Sequence, residues 1–210
     1  MKRFMLAITC LGLTFQTVAQ DYYDTTQPSP RKRTGLSVTG FSGGMMELSR
    51  VKGNSLLTAG GGGAALFNKR FFVGGFGQRT LNPATVRANN QAYNLHFTTG
   101  GLWAGYLSKP GRLLTFQVDT RLGWTRTGVS NTTSSANERF YVYSGFMATP
   151  TAGVQINVAP FARINLSGGY RFATNVDVPF SNMPGSSPER LGNADFNGAV
   201  GSISVIFGSF

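Results

Sequence analysis

From Gly35 to Phe210 apolar and polar side chains alternate with a period of two, and no segment carries a 3.6-residue apolar stripe through three helical turns. Successive side chains of a strand point to opposite faces, so this pattern predicts an all-β domain. Outside residues 1–20 no window approaches the roughly 20 apolar residues that a membrane-crossing helix needs. Any membrane crossing is therefore made by strands. Eight strand-like runs fall at 35–48, 55–67, 70–81, 92–108, 112–126, 139–158, 161–174 and 194–208. Asn68-Lys69, Lys109-Pro110-Gly111 and Ala159-Pro160 read as tight turns after the second, fourth and sixth runs. The other connections, 49–54, 82–91, 127–138 and 175–193, read as longer loops. Short turns on one rim and long loops on the other is the asymmetry of outer-membrane barrels. An even strand number puts both ends of the barrel on the short-turn side.

Several runs declare their two faces. Leu114, Phe116, Val118, Leu122 and Trp124 share one face of the fifth, against Thr115, Gln117, Asp119, Arg121 and Thr125. In the seventh, Ile164, Leu166, Tyr170 and Phe172 oppose Arg163, Asn165, Ser167 and Arg171. The sixth sets Phe146, Ala148, Ala152, Val154, Ile156 and Val158 against Thr149, Thr151, Gln155 and Asn157, and the first sets Leu36, Val38, Met46 and Leu48 against Ser37, Thr39 and Glu47. The second and third, with Gly60 to Gly63 and Gly74-Gly75, declare none. Pro150 lacks an N–H and suggests a bulge, or a part of the sixth run that stands above the membrane.

Alternation is neutral between a soluble barrel, apolar face inward, and a membrane barrel, which inverts it. Four features favour inversion. Aromatics gather toward strand ends (Phe71, Phe72, Tyr93, Phe97, Trp103, Tyr106, Trp124, Phe140, Tyr141, Tyr143, Phe161, Tyr170 and Phe172), where girdles meet lipid head groups. Several runs exceed the length usual in soluble sheets. Loop asymmetry is the third feature. The fourth is Ile203, Val205 and Phe207 followed by terminal Phe210, which resembles the C-terminal signal read by the barrel-assembly machinery; Gly208 and Ser209 put Phe210 out of phase with Phe207. Residues 35–210 resemble the small OmpA/OmpX-type barrels. A leader ending Val18-Ala19-Gln20 resembles those of Bacteroidetes outer-membrane β-barrel domain proteins, with the PorT-type group a candidate relative. The resemblance implies an eight-stranded antiparallel up-and-down transmembrane β-barrel and carries no catalytic motif.

Residues 1–19 read as a signal peptide, with basic Lys2 and Arg3, an apolar stretch from Phe4 to Phe15 and a small-residue exit at Thr17-Val18-Ala19. Residues 20–34, with Pro28, Pro30 and Arg31-Lys32-Arg33, read as a flexible periplasmic linker ahead of the barrel at 35–210. The single cysteine, Cys10, lies in the leader, so no disulfide is expected. Formal net charge is +11, and +9 without Lys2 and Arg3, which points to anionic partners. In an exported protein those are outer-membrane lipids and lipopolysaccharide, not nucleic acid.

Inversion would place Glu47, His96, Gln117, Asp119, Arg121, Gln155, Arg163 and Arg171 in the lumen. Eight strands leave just enough interior for side chains to fill, so these groups are expected to pair in a polar network, with Glu47 and Asp119 offsetting the arginines. His96 is the only histidine, which argues against a metal site. His96-Phe97-Thr98 lacks the His-x-Ser pairing of barrel lipid A deacylases. Gly60 to Gly63 and Gly74-Gly75-Phe76-Gly77 precede neither Lys-Ser/Thr nor a helix, so they are no phosphate loops. The expectation is a monomeric outer-membrane barrel without cofactor or enzymatic site, with a structural, adhesive or envelope role carried by loops 82–91, 127–138 and 175–193. Its rivals are a small passive pore for ions or small solutes, a lipid A-modifying barrel enzyme and a soluble secreted β protein.

Overall fold

A computed structural model describes residues 36–88, 91–108, 112–131, 139–179 and 190–210. Residues 1–35, on which the expected signal peptide and linker fall, and the connection segments 89–90, 109–111, 132–138 and 180–189 lie outside the described residues. The strands are β1 (Val38–Val51), β2 (Asn54–Phe67), β3 (Phe71–Asn82), β4 (Ala84–Ala88), β5 (Gln91–Ser108), β6 (Leu114–Asn131), β7 (Arg139–Ala159), β8 (Ala162–Thr174), β9 (Val178–Pro179), β10 (Arg190–Leu191) and β11 (Gly198–Gly208). One helical turn, α1 (Asn193–Phe196), precedes β11.

β1, β2, β3, β5, β6, β7, β8 and β11 form the eight staves of a closed antiparallel barrel. Each pairs with the next along the chain, β3 joins β5, and β11 returns to β1. β4 prolongs the third stave beyond Pro83: Arg79 faces Thr98 on β5, whereas Ala84 faces Leu95, so the register slips between them. The β2–β3 ladder shifts at the same height, between Leu57 and Thr58. A proline has no N–H for the ladder, which is where such a slip is tolerated.

The connection at 49–54 is not a long loop. β1 runs on to Val51, which pairs with Asn54, and only Lys52 (φ 47°) and Gly53 (φ 79°) turn the chain. Two successive positive φ values make the tight turn whose twist matches a hairpin. Asn68 (φ 49°) and Lys69 (φ 59°) do the same between β2 and β3, closed by Arg70 N–H donating to Phe67 O at 3.0 Å. The segment 175–193 is also structured in part, since β9 pairs with β10 and α1 follows. Pro150 carries no bulge: it faces Thr120, and the β7–β8 ladder keeps one register from Ala148/Phe172 to Thr151/Gly169. The irregularities of β7 lie near its two ends instead, opposite Val129/Ser130 and at Asn157/Ala159.

The apolar faces point outward. Leu114, Phe116, Val118 and Trp124 are exposed, whereas Thr115, Gln117, Asp119, Arg121 and Thr125 between them are buried. Wall curvature is permitted by small residues at close approaches. A Cβ on Gly60 would lie 1.8 Å from the carbonyl oxygen of Gly77, and one on Gly105 would meet the Phe72 ring at 2.5 Å. The obstacle at Gly60 is backbone, which no rotamer change relieves. Gly60→Val is therefore expected to cost about 1–3 kcal/mol or more of overpacking strain. Urea unfolding followed by gel mobility reads this, and an unchanged midpoint would show that β2 and β3 are farther apart than described.

Candidate functional site

The interior is layered. Toward the short-turn rim, Phe41, Met45, Leu66, Phe72, Phe76, Trp103, Leu107 and Ile206 form an apolar cluster joined by Phe210. Toward the loop rim, Val51, Leu56, Leu95, Phe97, Met147, Val176, Val178, Leu191 and Phe196 form another. Buried polar side chains fill the middle and also line the β6, β7 and β8 wall beside the short-turn cluster, where Gln117 pairs with Leu107 and Arg163 lies over Phe210. Phe72, Phe97 and Trp103 thus belong to the interior and not to a girdle, because their strand phase turns them inward.

Glu47 on β1 ties the opposite wall and the nearby β8 together. Its Oε2 lies 2.7 Å from Nη2 of Arg121 on β6, and its Oε1 accepts from Nη2 of Arg171 on β8. All three side chains are almost wholly buried, so the carboxylate offsets two guanidinium charges in a low-dielectric interior. A second chain of bonds crosses four adjacent staves. Arg163 Nη1 donates to Gln155 Oε1 at 2.8 Å, Gln155 Nε2 to Gln117 Oε1 at 3.2 Å, and Gln117 Nε2 to Asp119 Oδ2 at 2.7 Å. Trp103 Nε1 completes it, donating to Asp119 Oδ1 at 3.1 Å. Asp119 therefore takes an indole and an amide where an arginine was expected. The Arg163 guanidinium instead lies over the Phe210 ring at 3.6 Å, a cation–π contact that holds the terminal aromatic inward. Phe210 also stacks on Phe41 at 6.0 Å, while Ile203, Val205 and Phe207 stay on the outer wall.

His96 does not join this network. Leu95, Phe97 and Thr99 are the inward residues of β5 there, so His96, like Thr98, belongs to the opposite face. Sequence reasoning also missed Thr99, whose hydroxyl shares a hydrogen bond with that of Thr125 at 2.6 Å, and the buried Gln78 and Ser204, whereas Thr125 and Asn165 are buried on the polar faces read for them. Strand phase was the signal that could have found them. Among the described residues no group of three His, Cys, Asp or Glu side chains is placed to hold a metal ion.

Little empty space remains. Two cavities of about 10 Å³ each lie among the polar side chains, one beside Glu47, Gln78 and Arg171, the other beside Asp119, Thr151 and Asn165. Each is near the least volume that holds one water. At the loop rim the chain folds over the mouth: Phe196 of α1 stacks on Phe97 at 6.5 Å. Asn193 Oδ1 accepts from Val176 N–H at 2.8 Å, Asn197 Oδ1 from Ala173 N–H at 2.6 Å, and Asp195 O from Lys52 N–H at 3.0 Å.

The outer wall carries aromatics at two heights. Phe71, Tyr106, Phe116, Phe161 and Phe207 stand near the short turns, and Trp124, Phe146, Tyr170 and Phe172 near the loops. From Phe71 to Arg79 the strand rises about 26 Å along its own axis at roughly 3.3 Å per residue. A tilt of roughly 40° reduces that to about 20 Å, comparable with the apolar band of a membrane barrel.

No protein family and no curated protein sequence matches the chain. Solved structures do. Neisserial surface protein A shares 11% identity over 82% of this chain and 98% of its own, with a TM-score of 0.52. Ail, the attachment invasion locus protein of Yersinia pestis, shares 14% identity over 83% of this chain and 98% of its own, with a TM-score of 0.44. The first likeness shows the fold, a small eight-stranded antiparallel barrel of the outer-membrane kind.

Proposed function

We propose that the chain is an integral outer-membrane protein that acts through its extracellular crown, in adhesion or another envelope role, and not through its lumen. The observation that carries this reading is the filled interior. An apolar cluster with polar side chains beside it, a polar middle tied across the barrel by Glu47, and a second apolar cluster that includes Phe196 fill the lumen from the short turns to the loops. An ion would have to displace side chains at all three levels. What is left to present to other molecules is the loop side, where β6 and β7 continue past Trp124 and Phe146 to Asn131 and Arg139. Strands that outrun the membrane give the loops between them a rigid base, and loops on a rigid base are where binding resides.

Reconstitution in planar bilayers tests this. The full chain, refolded to its heat-modifiable form, is expected to remain electrically silent. Steady single-channel steps would overturn the filled-lumen reading and restore the passive pore. Binding of whole protein-bearing vesicles to host-matrix or cell surfaces, lost when 132–138 and 180–189 are shortened while heat-modifiability is kept, is the expected positive result.

A further inference from the structure

The outer wall is uneven. One side is studded with Phe116, Val118, Leu166, Tyr170, Phe172 and Phe207, all exposed. The side made by β2, β3 and β5 carries Phe71, Val73, Leu102 and Tyr106 toward the short turns, and above them Gly61, Gly77 and Gly100 form one bare row. On that side a groove of about 560 Å³ is floored by Gly60, Gly77 and Gly100, walled by Trp124, and bounded toward the loop rim by Arg79 and Arg126. Arg79 faces Thr98 across one ladder and Thr98 faces Arg126 across the next, so the two arginines stand at one height with a threonine between them. Two strand spacings, about 10 Å, separate their backbones, within the combined reach of two arginine side chains.

Both arginines are exposed, and no carboxylate shares this wall among the described residues. Glu47 and Asp119 are in the lumen, Asp177 pairs with Arg190, and Asp195 binds the backbone of Gly192. Two unopposed guanidinium groups directly above an aromatic and a bare apolar floor are matched by one kind of molecule, an acyl chain ending in a phosphate. Guanidinium groups take phosphate oxygens as paired hydrogen bonds. A glycine floor lets a chain lie against backbone, and Trp124, 68% exposed, offers it an apolar side wall. The groove opens toward lipid, which favours a lipid over free phosphate.

We infer that the groove between Trp124 and the Gly60/Gly77/Gly100 floor is a binding site for a phosphorylated lipid, whose phosphate is held by Arg79 and Arg126 beside Thr98. The inference rests on the reading that this barrel spans a membrane.

Trp124 reports on the site directly. The chain has two tryptophans, and Trp103 is enclosed in the lumen at 4% exposure, so bromine on a lipid chain quenches Trp124. The full chain is refolded in phosphatidylcholine vesicles containing a small share of brominated phosphatidic acid or, in parallel, brominated phosphatidylcholine. A basic residue at a membrane surface enriches an anion roughly fivefold, so two predict about twenty-five-fold preference for phosphatidic acid. Arg79→Gln with Arg126→Gln is expected to bring the two lipids to parity, whereas Arg112→Gln at the opposite rim leaves the preference intact. Equal quenching by both lipids in the wild type, or an undiminished preference in the double variant, overturns the site. Loss of the preference on adding excess inorganic phosphate overturns the lipid assignment in favour of a bare phosphate site. A chain that shows no heat-modifiable mobility and no quenching by either lipid overturns the membrane reading instead.

Discussion

Glu47→Ala is expected to lower the unfolding free energy by about 3–5 kcal/mol, because it strands two buried guanidinium groups at once. In the native barrel, Arg121 and Arg171 meet on opposite oxygens of this one carboxylate, and none of the three reaches solvent appreciably. Removing an arginine would leave one carboxylate still half satisfied; removing Glu47 leaves two cations facing each other. The comparison that isolates this cause is the combined Glu47→Met, Arg121→Met, Arg171→Met variant. It removes the same ion pairs yet leaves no charge unpaired, and is expected to recover most of the lost stability, since apolar side chains of similar volume replace buried ion networks at little cost. Urea titration in vesicles, read as the fraction of heat-modifiable protein, measures both. If Glu47→Ala leaves the midpoint where it was, the lumen is hydrated enough to screen the arginines, and the filled-interior argument against conduction falls with it.

The middle of the barrel was legible from residue order chiefly through β6, whose polar face is inward. Thr115, Gln117, Asp119, Arg121 and Thr125 alternate with large apolar residues, and that single strand sets the phase for its neighbours. Toward the rims the rule that polar means inward stops holding. On β5 the inward residues other than Thr99 include Leu95, Phe97, Trp103 and Leu107, which fill the ends of the lumen, while Thr98 and Gly100 face outward. His96, between two apolar residues, was therefore assigned to the wrong face, and Phe97 and Trp103 were assigned to girdles. The partner of Asp119 was hidden for the same reason: its indole donor had been placed on the lipid side. The cap formed by α1, β9 and β10 left little trace, since α1 is a single turn and a segment rich in proline and serine carries no period to read. The turn at Lys52-Gly53 was read as part of a longer loop at 49–54, because the polar Ser49 and Arg50 beside it disguised the end of β1 as a loop.

Leu102→Arg is expected to cost about 2–4 kcal/mol, and Leu113→Arg about 0–1, although the two leucines are exposed to similar degrees, 60% and 69%. The difference lies in depth. Leu102 pairs with Gly75 on one side and Leu122 on the other, a row midway between Phe71/Tyr106 near the turns and Arg79/Thr98/Arg126 near the loops. A guanidinium there would face the centre of the apolar band, too far from either interface to reach water, whereas one at Leu113 stands beside the short turn where head groups are close. In a soluble barrel both positions would meet water, and exposed substitutions away from special features stay within about 0.5 kcal/mol of neutral. The pair therefore separates lipid from water as the surroundings of one wall, independently of fold. Vesicle-unfolding midpoints that drop for Leu102→Arg alone place that wall in hydrocarbon. Equal midpoints would mean that the exposed rows of leucine, valine and phenylalanine are covered by something other than a bilayer, and would remove the premise on which the arginine-flanked groove is read as a lipid site.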